Sequence, residues 1–140
     1  MKKEIASTKT INGKYNYAIG RRKLAKASIM LFEGTGQNTV NGKPLEEYFP
    51  LLIDRNIALK ALKKLDVMSK YYFSAKTNGG GIKSIRTAIR LGIARALVKY
   101  DKSFKQTLKA EGFLTRDDRM VERKHTGFVK ARKKPQYSKR

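Results

Sequence analysis

The side chains best suited to bind phosphate are concentrated at the C-terminal end of this chain. Residues 119–140 read RMVERKHTGFVKARKKPQYSKR, carry a charge of +8, and contain Glu122 as their one acidic side chain. Arginine forks and lysine ammonium groups pair with phosphate oxygens, while the rings of Phe128 and Tyr137 can stack on bases or ribose. The basic residues are Arg119, Arg123, Lys124, Lys130, Arg132, Lys133, Lys134, Lys139 and Arg140. The segment therefore has the chemistry of an arm that binds a polyanion.

The apolar residues of this segment follow neither a helical nor a strand period. Such a segment cannot offset its own ordering entropy by building a core. We expect it to become ordered on folded RNA, with steeply salt-dependent and sequence-independent binding. Composition alone leaves an alternative open, in which the segment is a localisation signal or a solubilising arm.

Candidate catalytic residues are few. The single histidine, His125, lies in the basic segment without a base partner or metal co-ligands, and there are no cysteines. Asp117 and Asp118 form a carboxylate pair that could hold a metal, but local pairing with Arg116 and Arg119 is favoured. We therefore predict no enzyme, no cofactor and no metal site.

Two glycine-rich stretches invite comparison with phosphate-binding loops. A Walker loop requires a glycine, four residues, and then Gly-Lys-Ser/Thr. Gly42-Lys43 is followed by Pro44, and residues 79–84 (GGGIKS) lack the spacing. The triple glycine could still let backbone amides approach a phosphate at a helix N-terminus. A nucleotide-binding loop is therefore not predicted.

The overall charge also indicates a polyanionic partner. The 140 residues include 33 basic and 11 acidic side chains, giving a net charge of +22. Self-repulsion of this size destabilises an isolated compact domain, so nucleic acid, anionic membrane or acidic protein is the expected partner. The chain has no apolar run of the roughly 20 residues that span a bilayer, and its first residues do not resemble a signal peptide. We expect a soluble, intracellular protein.

The elements that must position these residues fall in one domain. We assign residues 1–14 to a mobile lead-in, 15–115 to a globular domain, and 116–140 to the extended tail. Alternation of apolar and polar residues over 15–19 and 27–31 predicts one long strand with a bulge near Gly20. A turn at 34–36, a returning strand at 37–40, a tight turn at Asn41-Gly42, a helical turn at 47–49 and a strand at 71–77 follow.

Periodicity also predicts three helices. Asp54 is the expected N-cap of a helix that ends near Leu65 and buries Ile57, Ala61, Leu62 and Leu65. A shorter helix is predicted from 103 to 111. The best-defined helix follows the triple glycine, with apolar residues at spacings of three and four. These are Ile82, Ile85, Ile89, Ile93, Ala96, Leu97 and Tyr100.

The charges on this last helix are all of one sign. Lys83, Arg86 and Arg90 border its apolar stripe on one edge, with Arg95 and Lys99 on the other side, and no acidic residue lies between Val67 and Tyr100. Amphipathic helices normally mix charges to form pairs one turn apart. We interpret the helix as phosphate-facing, with a merely solvated basic helix as the alternative.

The sequence resembles a known family, that of the ninth protein of the small ribosomal subunit, in its bacterial or organellar form. The Ser138-Lys139-Arg140 ending is typical of the bacterial type. The resemblance extends over nearly everything from Tyr17 onward. It rests on residues 19–23 (IGRRK), 34–36 (GTG), 40–42 (VNG), 44–49 (PLEEYF), 79–81 (GGG), 92–97 (GIARAL), 112–117 (GFLTRD), 122–124 (ERK), 130–132 (KAR) and 136–140 (QYSKR).

The resemblance implies a fold and a function. The fold would be α+β, a four-stranded sheet with helices packed on it and a left-handed βαβ crossover, although such crossovers are generally right-handed. The protein would be a structural constituent of the subunit head, without a reaction or small-molecule substrate of its own. Its partners would be small-subunit rRNA, peptidyl-site tRNA and neighbouring head proteins, in the cytoplasm or an organelle.

The resemblance also assigns residues to these partners. Ser138, Lys139 and Arg140 would contact the anticodon stem-loop of peptidyl-site tRNA. The expected rRNA contacts are basic residues of the first strand, the long helix and the tail: Arg21, Arg22, Lys23, Lys83, Arg90, Arg123, Lys124, Lys130, Arg132, Lys133 and Lys134.

The long helix departs from the family pattern. Residues 82–91 (IKSIRTAIRL) are more basic than the small, less charged stretch usual there, which leaves open whether Lys83 and Arg86 touch rRNA. A second hypothesis is a free nucleic-acid or anionic-surface binder, such as a nucleoid-type or membrane-interacting basic protein. The number of matching motifs favours the ribosomal reading.

Overall fold

A computed structural model describes residues 14–139 of the chain. The predicted lead-in, apart from Lys14, and the terminal Arg140 lie outside the described residues. Within them, strands and helices both occur, and residues 111–139 contain neither. The elements are β1 (Tyr15–Arg22), β2 (Ala25–Glu33), β3 (Thr39–Val40), β4 (Lys43–Pro44), α1 (Leu45–Tyr48), α2 (Leu52–Lys64), β5 (Tyr71–Asn78), α3 (Ile82–Tyr100) and α4 (Phe104–Ala110).

The strands form one mixed sheet with the order β1-β2-β5-β3-β4. Neighbouring strands are antiparallel except β3 and β5, which are parallel. The α+β class is confirmed, but the described sheet has five strands where the resemblance implied four, because the two-residue strands β3 and β4 both pair. The connection from β3 to β5 carries α2, and its left-handed sense stays a prediction.

The prediction of one long first strand is wrong. The chain reverses after Arg22, which pairs with Ala25, so that β1 and β2 form a hairpin. Lys23 adopts a left-handed backbone conformation, with φ of 50°, at the reversal. A turn without glycine or asparagine gives no local signal, and the alternation of apolar residues continues on both of its sides.

The predicted returning strand at 37–40 is also shorter than expected. Only Thr39 and Val40 pair, in parallel with β5 and antiparallel with β4, and not with β2. The predicted turn at Asn41-Gly42 is confirmed, since both residues have positive φ and connect β3 to β4. Sequence alternation predicted an extended segment but could not choose its neighbour.

The helices agree better with the sequence. The α3 helix spans Ile82–Tyr100, as its spacing predicts, and α4 lies within the range predicted for the shorter helix. Asp54, however, is not an N-cap: α2 begins earlier, after Leu51, and Asp54 is buried in its first turn. Within residues 14–139, no helix is both long and apolar enough to cross a bilayer.

The core lies between one face of the sheet and the α3 helix. Ile29 and Phe73 from the sheet, and Ile89, Ile93 and Leu97 from α3, are fully buried. The α3 helix packs against β1 and β2, and α2 packs against α3. The helical layer therefore lies on one side of the sheet, because the alternating apolar residues of β2 and β5 all point that way.

Two glycines allow β1 and α3 to touch through their backbones. A Cβ atom on Gly20 would lie 1.8 Å from the carbonyl oxygen of Ala88, and one on Gly92 would lie 2.5 Å from Cγ1 of Ile29. No side chain can occupy either position without moving the helix from the strand. This contact explains both glycines by packing, since neither has a positive φ.

Replacing Gly20 with alanine should therefore destabilise the domain. We expect Gly20→Ala to lower the free energy of unfolding by about 3 kcal/mol or more, because the added methyl group meets backbone atoms that cannot rotate away. Urea denaturation of the purified chain measures this change. Gly81→Ala is the matched control: open space surrounds that position, and we expect a loss below about 1 kcal/mol. Equal effects of both substitutions would contradict the packing explanation.

Candidate nucleic-acid interface

The root of the basic tail is attached to the tip of the β1–β2 hairpin through Arg22. Its Nη1 atom donates to the carbonyl oxygen of Arg119 at 2.7 Å and to that of Asp117 at 3.3 Å. Its Nη2 atom lies 3.0 Å from Oδ2 of Asp117. Arg22 is half-buried, while the adjacent Arg21 and Lys23 are exposed. The three basic residues that the sequence grouped together thus divide between tethering the tail and facing solvent.

Asp117 joins the two arginines at this tether. Nε and Nη2 of Arg119 donate to its two carboxylate oxygens, at 3.0 and 2.8 Å. These hydrogen bonds, with the nearby charge of Arg22, hold the pKa of the Asp117 carboxyl well below its usual range. The carboxylate is therefore ionised throughout the neutral range. The sequence-based preference for local pairing of Asp117 with Arg119 is confirmed, and the described residues contain no cluster of metal-ligating side chains.

The triple glycine meets the same corner of the molecule. Cβ atoms on Gly79 and Gly80 would lie 2.9 Å from the carbonyl oxygen of Leu24 and 2.7 Å from Cβ of Ala25. Both glycines have positive φ, near 70°, so other residues would be strained there as well as crowded. The hairpin turn therefore lies next to both the tail root and the glycine loop that precedes α3.

Beyond this corner the tail is largely exposed and folds back on itself once. Nε of Arg132 donates to Oε2 of Glu122 at 2.8 Å, which lowers the pKa of the Glu122 carboxyl. A turn brings the amide of Val129 to within 2.8 Å of the Lys133 carbonyl oxygen. The ring of Phe128 lies near His125, at 6.1 Å between centroids, so the histidine contacts an aromatic side chain.

The tail presents most of its predicted contact residues to solvent. Their side chains are exposed and concentrated on a segment with one acidic residue, which matches the charge pattern of a phosphate-binding arm. Arg132 differs because it is already paired within the chain. The other predicted residues of the described tail, all exposed as Arg132 is, are Arg123, Lys124, Lys130, Lys133, Lys134, Ser138 and Lys139. Arg140 lies outside the described residues.

Cations of α3 make contacts within the protein on both sides of the helix. Arg86 pairs with the buried carboxylate of Asp54. The guanidinium of Arg90 lies 5.1 Å from the centre of the Phe113 ring, and burial lowers its pKa. The acid-free run therefore has a structural use that sequence reasoning missed, because the partners of its cations lie far away in the chain.

Two further cations of α3 bind the free edge of the sheet. Nη1 of Arg95 donates to the carbonyl oxygen of Ile19 at 2.9 Å, and Nζ of Lys99 donates to that of Tyr17 at 2.7 Å. These bonds satisfy carbonyl groups of β1, an edge strand. Lys83 is exposed at the start of α3, and rRNA contact by Lys83 or Arg90 stays a prediction.

Comparison with known proteins shows extensive similarity. The family model of ribosomal protein S9/S16 matches residues 20–140. Small ribosomal subunit protein uS9 of Porphyromonas gingivalis is 50% identical over 126 residues, covering 90% of this chain and 98% of that protein. The uS9 proteins of Methylacidiphilum infernorum and Dehalococcoides mccartyi are 47% and 46% identical, covering 88% and 90% of this chain and 90% and 96% of theirs.

The tether at Asp117 makes a testable prediction about the tail root. Asp117→Asn removes the charge that Arg22 and Arg119 share, so we expect residues 117–121 to detach from the hairpin. Amide hydrogen exchange at Arg119 should accelerate severalfold, because the Arg119 amide itself donates to Oδ1 of Asp117 at 3.1 Å. Asp118→Asn, which changes the net charge equally one residue away, should leave this exchange rate unchanged. The tether is refuted if both variants exchange alike.

Proposed function

Because the chain belongs to the ribosomal protein S9/S16 family, we propose that it is a structural constituent of the small ribosomal subunit that binds small-subunit rRNA. The similarity over nine-tenths of the chain is the observation that carries this conclusion. The exposed basic tail supplies the means of binding. No reaction of its own is assigned to the protein, and its role is to hold RNA in place.

We propose that binding combines a fixed corner with an adaptable arm. The β1–β2 hairpin exposes Arg21 and Lys23. Arg22 of the same hairpin binds the root of the tail, so the tail begins beside these two cations. The exposed cations of the tail then bind phosphates along the rRNA backbone, and the tail adopts the path that the rRNA sets. We expect the protein to contact neighbouring proteins of the subunit head, in a cytoplasmic or organellar ribosome.

The end of the tail is proposed to contact a second RNA. Ser138, Lys139 and Arg140 would approach the anticodon stem-loop of peptidyl-site tRNA, as the family resemblance implies. Support comes from the exposure of Ser138 and Lys139 and from the length of the tail. The 22 residues from 119 to 140 can span about 70 Å when extended, enough to cross a layer of rRNA.

Charge removal within the tail tests the rRNA proposal. Changing Lys130, Arg132, Lys133 and Lys134 to glutamine should weaken rRNA binding and reduce the slope of log affinity against log salt by about 3, since each phosphate contact contributes roughly 0.7–0.9. Filter binding at several salt concentrations and sedimentation with subunits measure both effects. A control variant with Lys70, Lys102, Lys105 and Lys109 changed to glutamine loses equal charge outside the tail. It should incorporate into subunits better than the tail variant does. Wild-type protein that sediments with DNA or free of ribosomal particles would contradict the proposal.

Removal of the last two residues tests the tRNA proposal. Subunits that carry the chain without Lys139 and Arg140 should assemble, yet release peptidyl-site tRNA severalfold faster, because two phosphate-pairing cations are lost. Dissociation of labelled tRNA from purified particles gives the rate. The exchanged variant Lys139→Arg/Arg140→Lys keeps both charges and should release tRNA at close to the wild-type rate. Unchanged release from the truncated particles would exclude a contribution of the tip.

A further inference from the structure

The sheet has a second face, opposite the helices, of which the proposed function uses only Arg21. On β1 this face carries Tyr15, Tyr17, Ile19 and Arg21, which alternate with the residues that face α3. The strand register aligns them with β2 and β5 in cross-strand rows. These rows are Tyr15-Phe32-Tyr72, Tyr17-Met30-Ser74, Ile19-Ser28-Lys76 and Arg21-Lys26-Asn78.

Aromatic rings dominate one end of this face. Phe32 lies between Tyr15 and Tyr72, with ring centroids 5.6 and 5.1 Å away, and is itself buried. The backbone of Gly36 lies against the Tyr72 ring, where an added Cβ would be 2.7 Å from the ring carbons. Tyr15 and Tyr17 remain 48% and 44% exposed. Tyr15 therefore packs on a buried aromatic ring, and the accessible ring of Tyr17 lies in the next cross-strand row.

Tyr17 is held in place by a hydrogen bond. Its hydroxyl group donates to Oγ of Ser28 at 3.1 Å, on the neighbouring strand. The bond restrains the ring without burying it, so less rotamer entropy is lost when a ligand stacks on it.

The charged strand residues on this face are all positive. Arg21, Lys26 and Lys76 are exposed on the same face, and none of its described strand residues is acidic. From the strand spacings, all three lie within about 15 Å of Tyr17. The remaining polar groups are the Asn78 amide and hydroxyls such as those of Ser74 and Thr39, which bond to each other at 3.1 Å.

This combination selects among possible occupants. A second copy of a chain with a charge of +22 would be repelled. A protein partner would need a large exposed apolar area, but Ile19 and Met30 are half-buried and the exposed part of the face is two tyrosine rings among cations. A duplex keeps its bases stacked inside and offers no free ring, whereas unpaired nucleotides present both a base face and a phosphate.

We propose that the helix-free face of the sheet binds unpaired RNA nucleotides, whose bases stack on Tyr15 and Tyr17 while their phosphates pair with Arg21, Lys26 and Lys76. The inference rests on the proposed function in requiring an RNA partner, and it adds a second binding surface of different chemistry. The tail recognises charge along a backbone, and the sheet recognises exposed bases.

Substitution of the rings tests this surface in the full chain. The probes are a short oligouridine and an RNA duplex of equal length, with affinities measured at several salt concentrations. Tyr15→Leu/Tyr17→Leu should bind oligouridine at least about tenfold more weakly, with an unchanged salt slope and unchanged duplex affinity, because stacking is lost but charge is kept. Tyr15→Phe/Tyr17→Phe keeps both rings and should stay within about twofold of wild type. Equal oligouridine binding by the leucine variant would overturn the proposal.

Photocrosslinking of the wild-type chain provides a second measurement that does not depend on how the variants fold. Oligouridine that contains 4-thiouridine should crosslink to peptides within residues 15–33. Crosslinks confined to residues 119–139 would overturn the sheet proposal while leaving tail binding intact. In intact subunits, crosslinks from this face to a neighbouring protein in place of rRNA would also overturn it. Failure of the wild-type chain to bind any RNA would instead contradict the proposed function.

Discussion

Contact between the backbones of β1 and α3 is the constraint on which the other features depend. Gly20 and Gly92 let the strand and helix approach more closely than any side chain would permit. At this distance Arg95 and Lys99 reach the carbonyl groups of β1 and cap the edge of the sheet. The hairpin that β1 begins is thereby fixed, and its Arg22 holds the root of the tail. A wider spacing would weaken each of these bonds in turn.

The protein divides its cations between two tasks. Arg22, Arg86, Arg90, Arg95 and Lys99 bind carboxylates, carbonyl groups or an aromatic ring of the chain itself. Apart from Arg119 and Arg132, which pair with Asp117 and Glu122, the described tail cations are exposed, as are Arg21 and Lys23 of the hairpin, and these are the proposed contacts to a polyanion. The internal contacts offset part of the self-repulsion that so basic a chain would suffer without a partner. The charge surplus therefore serves folding and binding through different residues.

Local features of the fold were predicted better than contacts between residues distant in the sequence. The bounds of α3 and the turn at Asn41-Gly42 were correct, because helical periodicity and left-handed turn residues are local signals. The hairpin reversal at Lys23 was missed since its turn lacks such a signal. The sequence predicts Asp54 as an N-cap, whereas Asp54 in fact pairs with Arg86, 32 residues further along the chain. Pairing across that distance leaves no trace in spacing.

The sequence by itself determined the charge, the expectation of a polyanionic partner and, through the order of its motifs, the family, which implies the α+β class. These properties depend on composition or on residues close together in the chain, so they can be inferred without the tertiary structure. Only the tertiary structure decided which cations are free, how the strands pair, and that Tyr15 and Tyr17 share an open face with Lys26 and Lys76. The physical reason is that cross-strand register and helix packing join residues far apart in sequence, and alternation specifies a face without specifying its neighbour.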